Sequence, residues 1–215
     1  DNGSHDDTTA IAKQFGAQVL HEPIRGRSQA RNLGIRRSQG DLVVFLDADC
    51  APQPEWLSEL LKPFDDPATG CVAGAFLNYI EINTPFSEYL VKKGHLAQSV
   101  YFNHPFCPFA ATGNAAYRRA VLDQIGLFDE ALWTGQDADL SWRMQLETSY
   151  KIVAAPLALV SHRQDLSFRA FLKQKKRHAQ GAVLLYKKYK RYRQKEVASF
   201  KEVYWEYRSI LKRGF

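Results

Sequence analysis

Five consecutive apolar residues, Leu42-Val43-Val44-Phe45-Leu46, form the least interrupted hydrophobic run in the first half of the chain. A run of that length without polar alternation predicts a strand buried on both faces. The flanking segments read differently. Residues 8–15 place Ile11 and Phe15 four apart behind the capping residues Ser4 and Asp6, and Gly16 sits where a helix would stop. A short strand is expected at 17–20, and a second helix over 29–38 ends at Gly40. Residues 55–64 gather Trp56, Leu57, Leu60 and Leu61 on one helical side, and 71–82 reads as strand. This alternation predicts an α/β sandwich with mostly parallel strands.

Beyond Pro85 the spacing lengthens. Helices are expected over 86–100, 118–125 (closed by Gly126) and 137–147, a proline-rich loop over 103–108, and a strand over 152–160. From 166 onward the chain is helical, basic and rich in tyrosine, without internal repeats. The organisation is therefore an α/β body over residues 1–162 and a helical extension over 163–215.

Charge sharpens that division. Residues 163–215 carry 16 lysines and arginines against four acids, a net of +12, which leaves 13 basic and 19 acidic side chains in residues 1–162, a net of −6. Anionic lipid, nucleic acid or plain solvation of a helix surface would suit such an extension. Its apolar residues Phe168, Phe171, Leu172, Leu184, Leu185, Phe200, Trp205 and Ile210 suit an interfacial helix on an anionic membrane, or equally packing against the body. The three cysteines, Cys50, Cys71 and Cys107, form no CxxC pair, which argues against a disulfide framework or structural zinc and fits a reducing, cytoplasmic setting. The longest uncharged stretch, 96–117, is broken by Pro105, Pro108, Asn103, Gly113 and Asn114 and cannot supply the roughly 20 apolar residues of a spanning helix.

Asp47 and Asp49 directly follow the buried strand, at the carboxyl edge where open α/β sheets bind ligands. Carboxylates there suit Mg²⁺ or Mn²⁺, which could neutralise a diphosphate. With 13 aspartates in the chain, chance alone supplies about one Asp-x-Asp pair, so position rather than spelling carries the signal, and an Asp-rich turn capping the next helix reads equally well. A second pair, Asp137 and Asp139, opens a predicted helix. The dipole favours an ionised Asp137, as a general base requires, while Asp139 can reach Arg143 at i+4 in a structural pair. His162 ends a strand, where histidines are usually surface residues unless a metal lies near. Gly113-Asn114 reads as a turn or as part of a pocket wall. No Walker loop, GxGxxG, GxSxG or HExxH occurs.

In this order, Asp1-Asn2-Gly3-Ser4-x-Asp6, Ala30-Arg31-Asn32-x-Gly34, Phe45-Leu46-Asp47-Ala48-Asp49, Gly113-Asn114, Gln136-Asp137-x-Asp139-Leu140-x-x-Arg143 and His162 resemble the family 2 glycosyltransferases of GT-A fold over about residues 1–165. The resemblance implies a Rossmann-like sandwich with a mixed, mostly parallel sheet plus C-terminal helices. It also implies inverting, metal-dependent transfer of a sugar from a nucleotide diphosphate sugar to an acceptor hydroxyl, a glycan or lipid-linked acceptor, and a role in cell-envelope or polysaccharide synthesis at the inner face of the membrane. Carried over by position, Asp137 is the base, and Asp1, Arg31, Asp47, Gly113, Asn114 and Gln136 bind substrate. Asp49, with Asp47 and His162, holds Mn²⁺ or Mg²⁺. Gln136 replaces the glutamate usual before that aspartate, which bears on acceptor choice. The first strand and helix of the family pattern are not found ahead of Asp1, so a body without them is expected. Two other classes compete: a catalytically inactive sugar-nucleotide or glycan binding module, and a nucleic-acid binder using Tyr186, Tyr189 and Tyr192 among the basic residues, which leaves the aspartates unexplained.

Overall fold

The computed structural model describes residues 1–81, 84–93, 97–163 and 167–193. Its elements in chain order are α1 (Thr8–Gln14), α2 (Arg27–Arg37), β1 (Leu42–Leu46), β2 (Cys50–Pro52), α3 (Trp56–Leu61), β3 (Thr69–Tyr79), α4 (Pro85–Lys92), α5 (Gln98–Phe102), β4 (Asn114–Arg118), α6 (Arg119–Ile125), α7 (Gln136–Glu147), β5 (Lys151–Arg163) and α8 (Phe168–Tyr189). One five-stranded sheet has the order β1-β4-β3-β5-β2. Strands β1, β3 and β5 run the same way. Because β4 lies antiparallel between β1 and β3, and β2 folds back antiparallel on β5, only the β3–β5 pairing is parallel. The sheet is mixed, as expected, with one direction prevailing among strands rather than among pairings.

The pleat sorts side chains onto two cores. Cys71, Ala73, Ala115 and Tyr117 pack with Ile35, Phe45, Val121, Leu122, Leu140 and Met144 on the face covered by α2, α6 and α7. Val72 and Ala116 point the other way, onto Leu60, Phe64, Ala155 and Ala158. A third cluster joins Leu132, Ala138 and Trp142 to Leu185 and Tyr189, seating α8 on α7.

Three sequence expectations change. The strand at 17–20 does not form. Instead, residues 20–24 run beside residues 1–2, with the Asp1 nitrogen 2.6 Å from the Leu20 carbonyl and the Glu22 amide 2.9 Å from the Asp1 carbonyl. Among the described residues no sheet partner takes up that segment. The helix expected over 86–100 is two helices, because Pro85 and the Thr84–Ser87 capping box start α4 and the chain leaves the helix at Lys93. Strands β2 and β4 were not expected. Asn114-Ala-Ala-Tyr-Arg118 lacks β-branched residues, yet it lies inside the sheet between β1 and β3, with Ala115, Ala116 and Tyr117 fully buried. For the basic extension, where both a membrane face and packing on the body were open, α8 packs one side on the body. Gly181, Leu185 and Tyr189 of α8 are buried, so Tyr189 is unavailable as a base-stacking platform. Phe200, Trp205 and Ile210 lie outside the described residues.

Candidate active site

Strand β1 delivers Asp47 to the carboxyl edge of the sheet. There the Asp47 amide donates to the Gly113 carbonyl at 3.3 Å, and Gly113 leaves room for the carboxylate: a Cβ on it would stand 3.1 Å from Asp47 Oδ2 and 3.3 Å from Phe76. Gly113 therefore shapes the site through its missing side chain.

The chain then turns sharply. The Cys50 amide donates to the Asp47 carbonyl at 3.0 Å, and β2 pairs with the end of β5, setting Cys50 opposite His162. That register brings His162 Nε2 within 3.6 Å of Asp49 Oδ2, a spacing that one divalent cation about 2.1 Å from each ligand would span. Asp49, Cys50 and His162 offer ligand atoms that all lie within 4.8 Å of one another. The His162 hydrogen bond holds the Asp49 carboxyl below its usual range against the opposing effect of burial. Burial, then the carboxylates of Asp49 and Asp47, push the Cys50 thiol up to about 12, which makes it the weakest donor of the three. An oxygen and an imidazole nitrogen thus fit the Mn²⁺ or Mg²⁺ that the sequence suggested.

Asp137 lies in the first turn of α7, behind Gly135, whose φ of +83° puts it in the left-handed region. Its Oδ1 accepts from Thr112 Oγ1 at 2.7 Å and from Arg31 Nη1 at 3.4 Å. The other end of the same guanidinium donates to Asp47 Oδ1 at 3.0 Å. Arg31, mostly buried and stacked over Phe128 at 5.6 Å, therefore links the first Asp motif to the second. Its neighbour Asn32 fixes α2 in place, donating to the Phe128 carbonyl and Glu130 Oε1 and accepting from the Phe128 amide.

Thr112 escaped the sequence reading, for a lone threonine 25 residues before Asp137 carries no spacing signal. Tyr101 is a second omission: its hydroxyl pKa is raised by burial and by the Asp137 carboxylate. Asn114 corrects an expectation. It is fully buried, accepts from Trp56 Nε1 at 2.8 Å, and donates to the Ala75 and Ala158 carbonyls at 2.9 and 2.8 Å, tying α3, β3 and β5 together beneath the site instead of facing substrate. Asp139 takes the structural role, fully buried against Arg143 Nε at 3.0 Å and Tyr189 Oη at 2.8 Å. Asp1 is taken up by its own turn and by the neighbouring 20–24 segment, accepting from the Gly3 and Ser4 amides at 3.2 and 3.1 Å and lying 3.2 Å from His21 Nδ1. Gln136, buried at the start of α7, lines a cavity of about 1060 Å³.

The sequence profile of Glycosyl transferase family 2 matches residues 1–126. The chain belongs to the family 2 glycosyltransferases. Among curated relatives of this family 2 chain, the pre-mycofactocin glycosyltransferase of Mycobacterium tuberculosis is 30% identical over 163 residues, covering 74% of this chain and 34% of that protein. The chondroitin synthase of Pasteurella multocida is 27% identical over 184 residues, covering 67% and 19%. The chain spans about a third of the first curated relative it matches. Among solved structures, the mannosyltransferase PcManGT of Pyrobaculum calidifontis in complex with GDP-Man and Mn²⁺ superposes with a TM-score of 0.64 at 22% identity, over 88% of this chain and 53% of that one. Glucosyl-3-phosphoglycerate synthase of Mycobacterium tuberculosis, in complex with Mn²⁺, UDP-Glc and phosphoglyceric acid, gives 0.55 at 21%, over 87% and 66%. The fold of this family 2 member is therefore the GT-A fold of those enzymes.

Proposed function

We propose that this chain carries the transfer centre of an inverting glycosyltransferase, moving a sugar from a nucleotide diphosphate sugar to an acceptor hydroxyl in polysaccharide or cell-envelope synthesis. The observation that carries the reading is the Asp47–Arg31–Asp137 link, which sets a carboxylate able to take a proton beside the carboxyl-edge cluster. Inversion by single displacement needs a base on the acceptor side and neutralised charge on the leaving side. The acceptor oxygen bonds to the anomeric carbon, the bond from that carbon to the diphosphate breaks, and the hydroxyl proton passes to Asp137. Thr112, donating to Oδ1, orients the carboxylate and leaves Oδ2 for the proton. Arg31 binds both carboxylates before donor arrives and can turn one end of its fork to the diphosphate. Asp49 and His162, with Asp47 beside them, would hold Mn²⁺ or Mg²⁺, which supplies charge neutralisation for the leaving group. The Mn²⁺ and nucleotide sugars in the PcManGT and glucosyl-3-phosphoglycerate synthase complexes support this cofactor and donor class, and the chondroitin synthase relative supports a glycan acceptor.

The exposed side of α8 favours peripheral membrane attachment as well. Phe168, Leu172 and Tyr186 recur along one face and are exposed, with Arg169, Lys173, Lys176 and Lys187 flanking them, an arrangement suited to anionic lipid.

Nucleotide release from a panel of sugar nucleotides, measured on the intact protein with Mn²⁺, tests the transfer reading. Asp137→Asn keeps the shape and the Thr112 contact. It is expected to bind donor as the wild type does and to lower turnover by roughly 10²-fold or more. Wild-type turnover in that variant removes Asp137 from the chemistry.

A further inference from the structure

The cavity of about 1060 Å³ that Gln136 lines is walled by the amino end of α2, the loop before α7, and one side of α8. Asp47, Asp49 and His162 are not in its wall, whereas the neighbour of Asp137 is. The wall therefore reaches the start of α7, one residue before Asp137, and holds none of the three residues of the cluster suited to a metal-bound diphosphate.

Arginines, side-chain amides and an indole stand in that wall, beside Leu132, His178, Val183 and Leu184. Arg25 and Arg27 precede and begin α2, and Arg177 comes from α8. Among the described residues none of these three is in an ion pair, and the single carboxylate of the wall, Glu130, already accepts from Asn32. Side-chain amides are abundant: Asn2, Gln29, Gln136, Gln174 and Gln180. Trp133 stands at the rim, 82% exposed, three residues before Gln136. An indole left in water offers a flat apolar face, amides pair with hydroxyls as donor and acceptor together, and guanidinium forks match carboxylate and phosphate oxygens.

We infer that this cavity is the acceptor site and that the acceptor is an anionic saccharide, its ring on Trp133, its hydroxyls on the amides, and its carboxylate or phosphate between Arg177 and the Arg25–Arg27 pair. The inference rests on the transfer reading for the word acceptor, but the ligand chemistry is testable without turnover. Unpaired arginines facing a shared space repel one another until an anion enters, so charge on the sugar should dominate its affinity.

Calorimetric titration of the intact protein with glucose, glucuronate and glucose 6-phosphate checks this. Both anions are expected to bind at least about tenfold more tightly than glucose, the effect of one or two charged hydrogen bonds. Arg177→Ala, and separately the double change Arg25→Ala with Arg27→Ala, should remove that preference while leaving the melting temperature unchanged, since all three side chains are exposed. Trp133→Ala should weaken all three sugars alike. Preference for glucuronate alone would assign a carboxylate, and for glucose 6-phosphate alone a phosphate. Equal affinity for the three sugars, binding of none, or an anion preference that persists with all three arginines removed would overturn the inference. Donor turnover without any anion preference would fail this inference only; anion binding without turnover on any sugar nucleotide would fail the transfer reading only.

Discussion

Arg31 joins the two Asp motifs of the candidate site. One guanidinium spans two carboxylates from segments 90 residues apart in sequence, Asp47 at the end of β1 and Asp137 at the start of α7. Its planar fork is what allows this, and a lysine could satisfy one carboxylate at a time. The neighbouring pair, Asp49 and His162, is where a divalent ion should bind. Titrating Mn²⁺ against the intact protein, followed by the loss of the free-ion resonance, should show binding weakened at least about tenfold by Asp49→Ala and by His162→Ala. Affinity unchanged in both variants would leave the cluster as a hydrogen-bonded pair without a cation.

Helix α8 is fastened by charge as well as by apolar contact. Fully buried Asp139 on α7 meets Arg143 at 3.0 Å, Lys188 at 2.7 Å and Tyr189 at 2.8 Å, and Lys188 also reaches Asp129 at 2.7 Å. Gly181 lets the helix approach the loop before α7, since a Cβ there would fall 2.8 Å from the Thr134 carbonyl oxygen. Removing the shared acid leaves two cations with poorer partners, so Asp139→Ala should cost about 3–5 kcal/mol in thermal or denaturant unfolding. Lys188→Met should cost less. Burial opposes the Lys188 charge but Asp129 and Asp139 outweigh it, raising its pKa, while Lys188 lowers that of Asp129. A depressed carboxylate stabilises the fold above its unfolded value, so the Asp129 share of the gap between wild type and Lys188→Met should be complete above pH 3.8 and fade as the pH falls below it. A gap that widens in acid would contradict this pairing.

Across the whole molecule, an acidic body carries a basic face on α8. Among the described residues no helix is long and apolar enough to cross a membrane. Co-sedimentation with vesicles of phosphatidylcholine and phosphatidylglycerol should show binding that needs the anionic lipid and weakens as salt rises. Replacing Phe168 and Leu172 with serine should reduce it. Equal binding to neutral vesicles, or none to anionic ones at low salt, would leave α8 as a structural helix alone.

Local features of the fold were legible in the chain. The apolar run of β1, the helices from Thr8, Arg27, Arg119 and Gln136, and the placing of Asp47, Asp49 and Asp137 at element ends all follow from periodicity, caps and glycine stops, which act over a few residues. The Asp139–Arg143 pair was legible for the same reason, four residues along one helix. Tertiary structure decided everything that depends on which distant segments pair. The insertion of β4 into the sheet, the turn of Asn114 inward as a brace, and the failure of 17–20 to become a strand were not written in their own composition. Thr112 reaches Asp137, and His162 reaches Asp49 across 113 positions, because β-sheet register and helix packing set those distances. Such contacts reflect the free energy of the packed whole, which local preference constrains but does not choose.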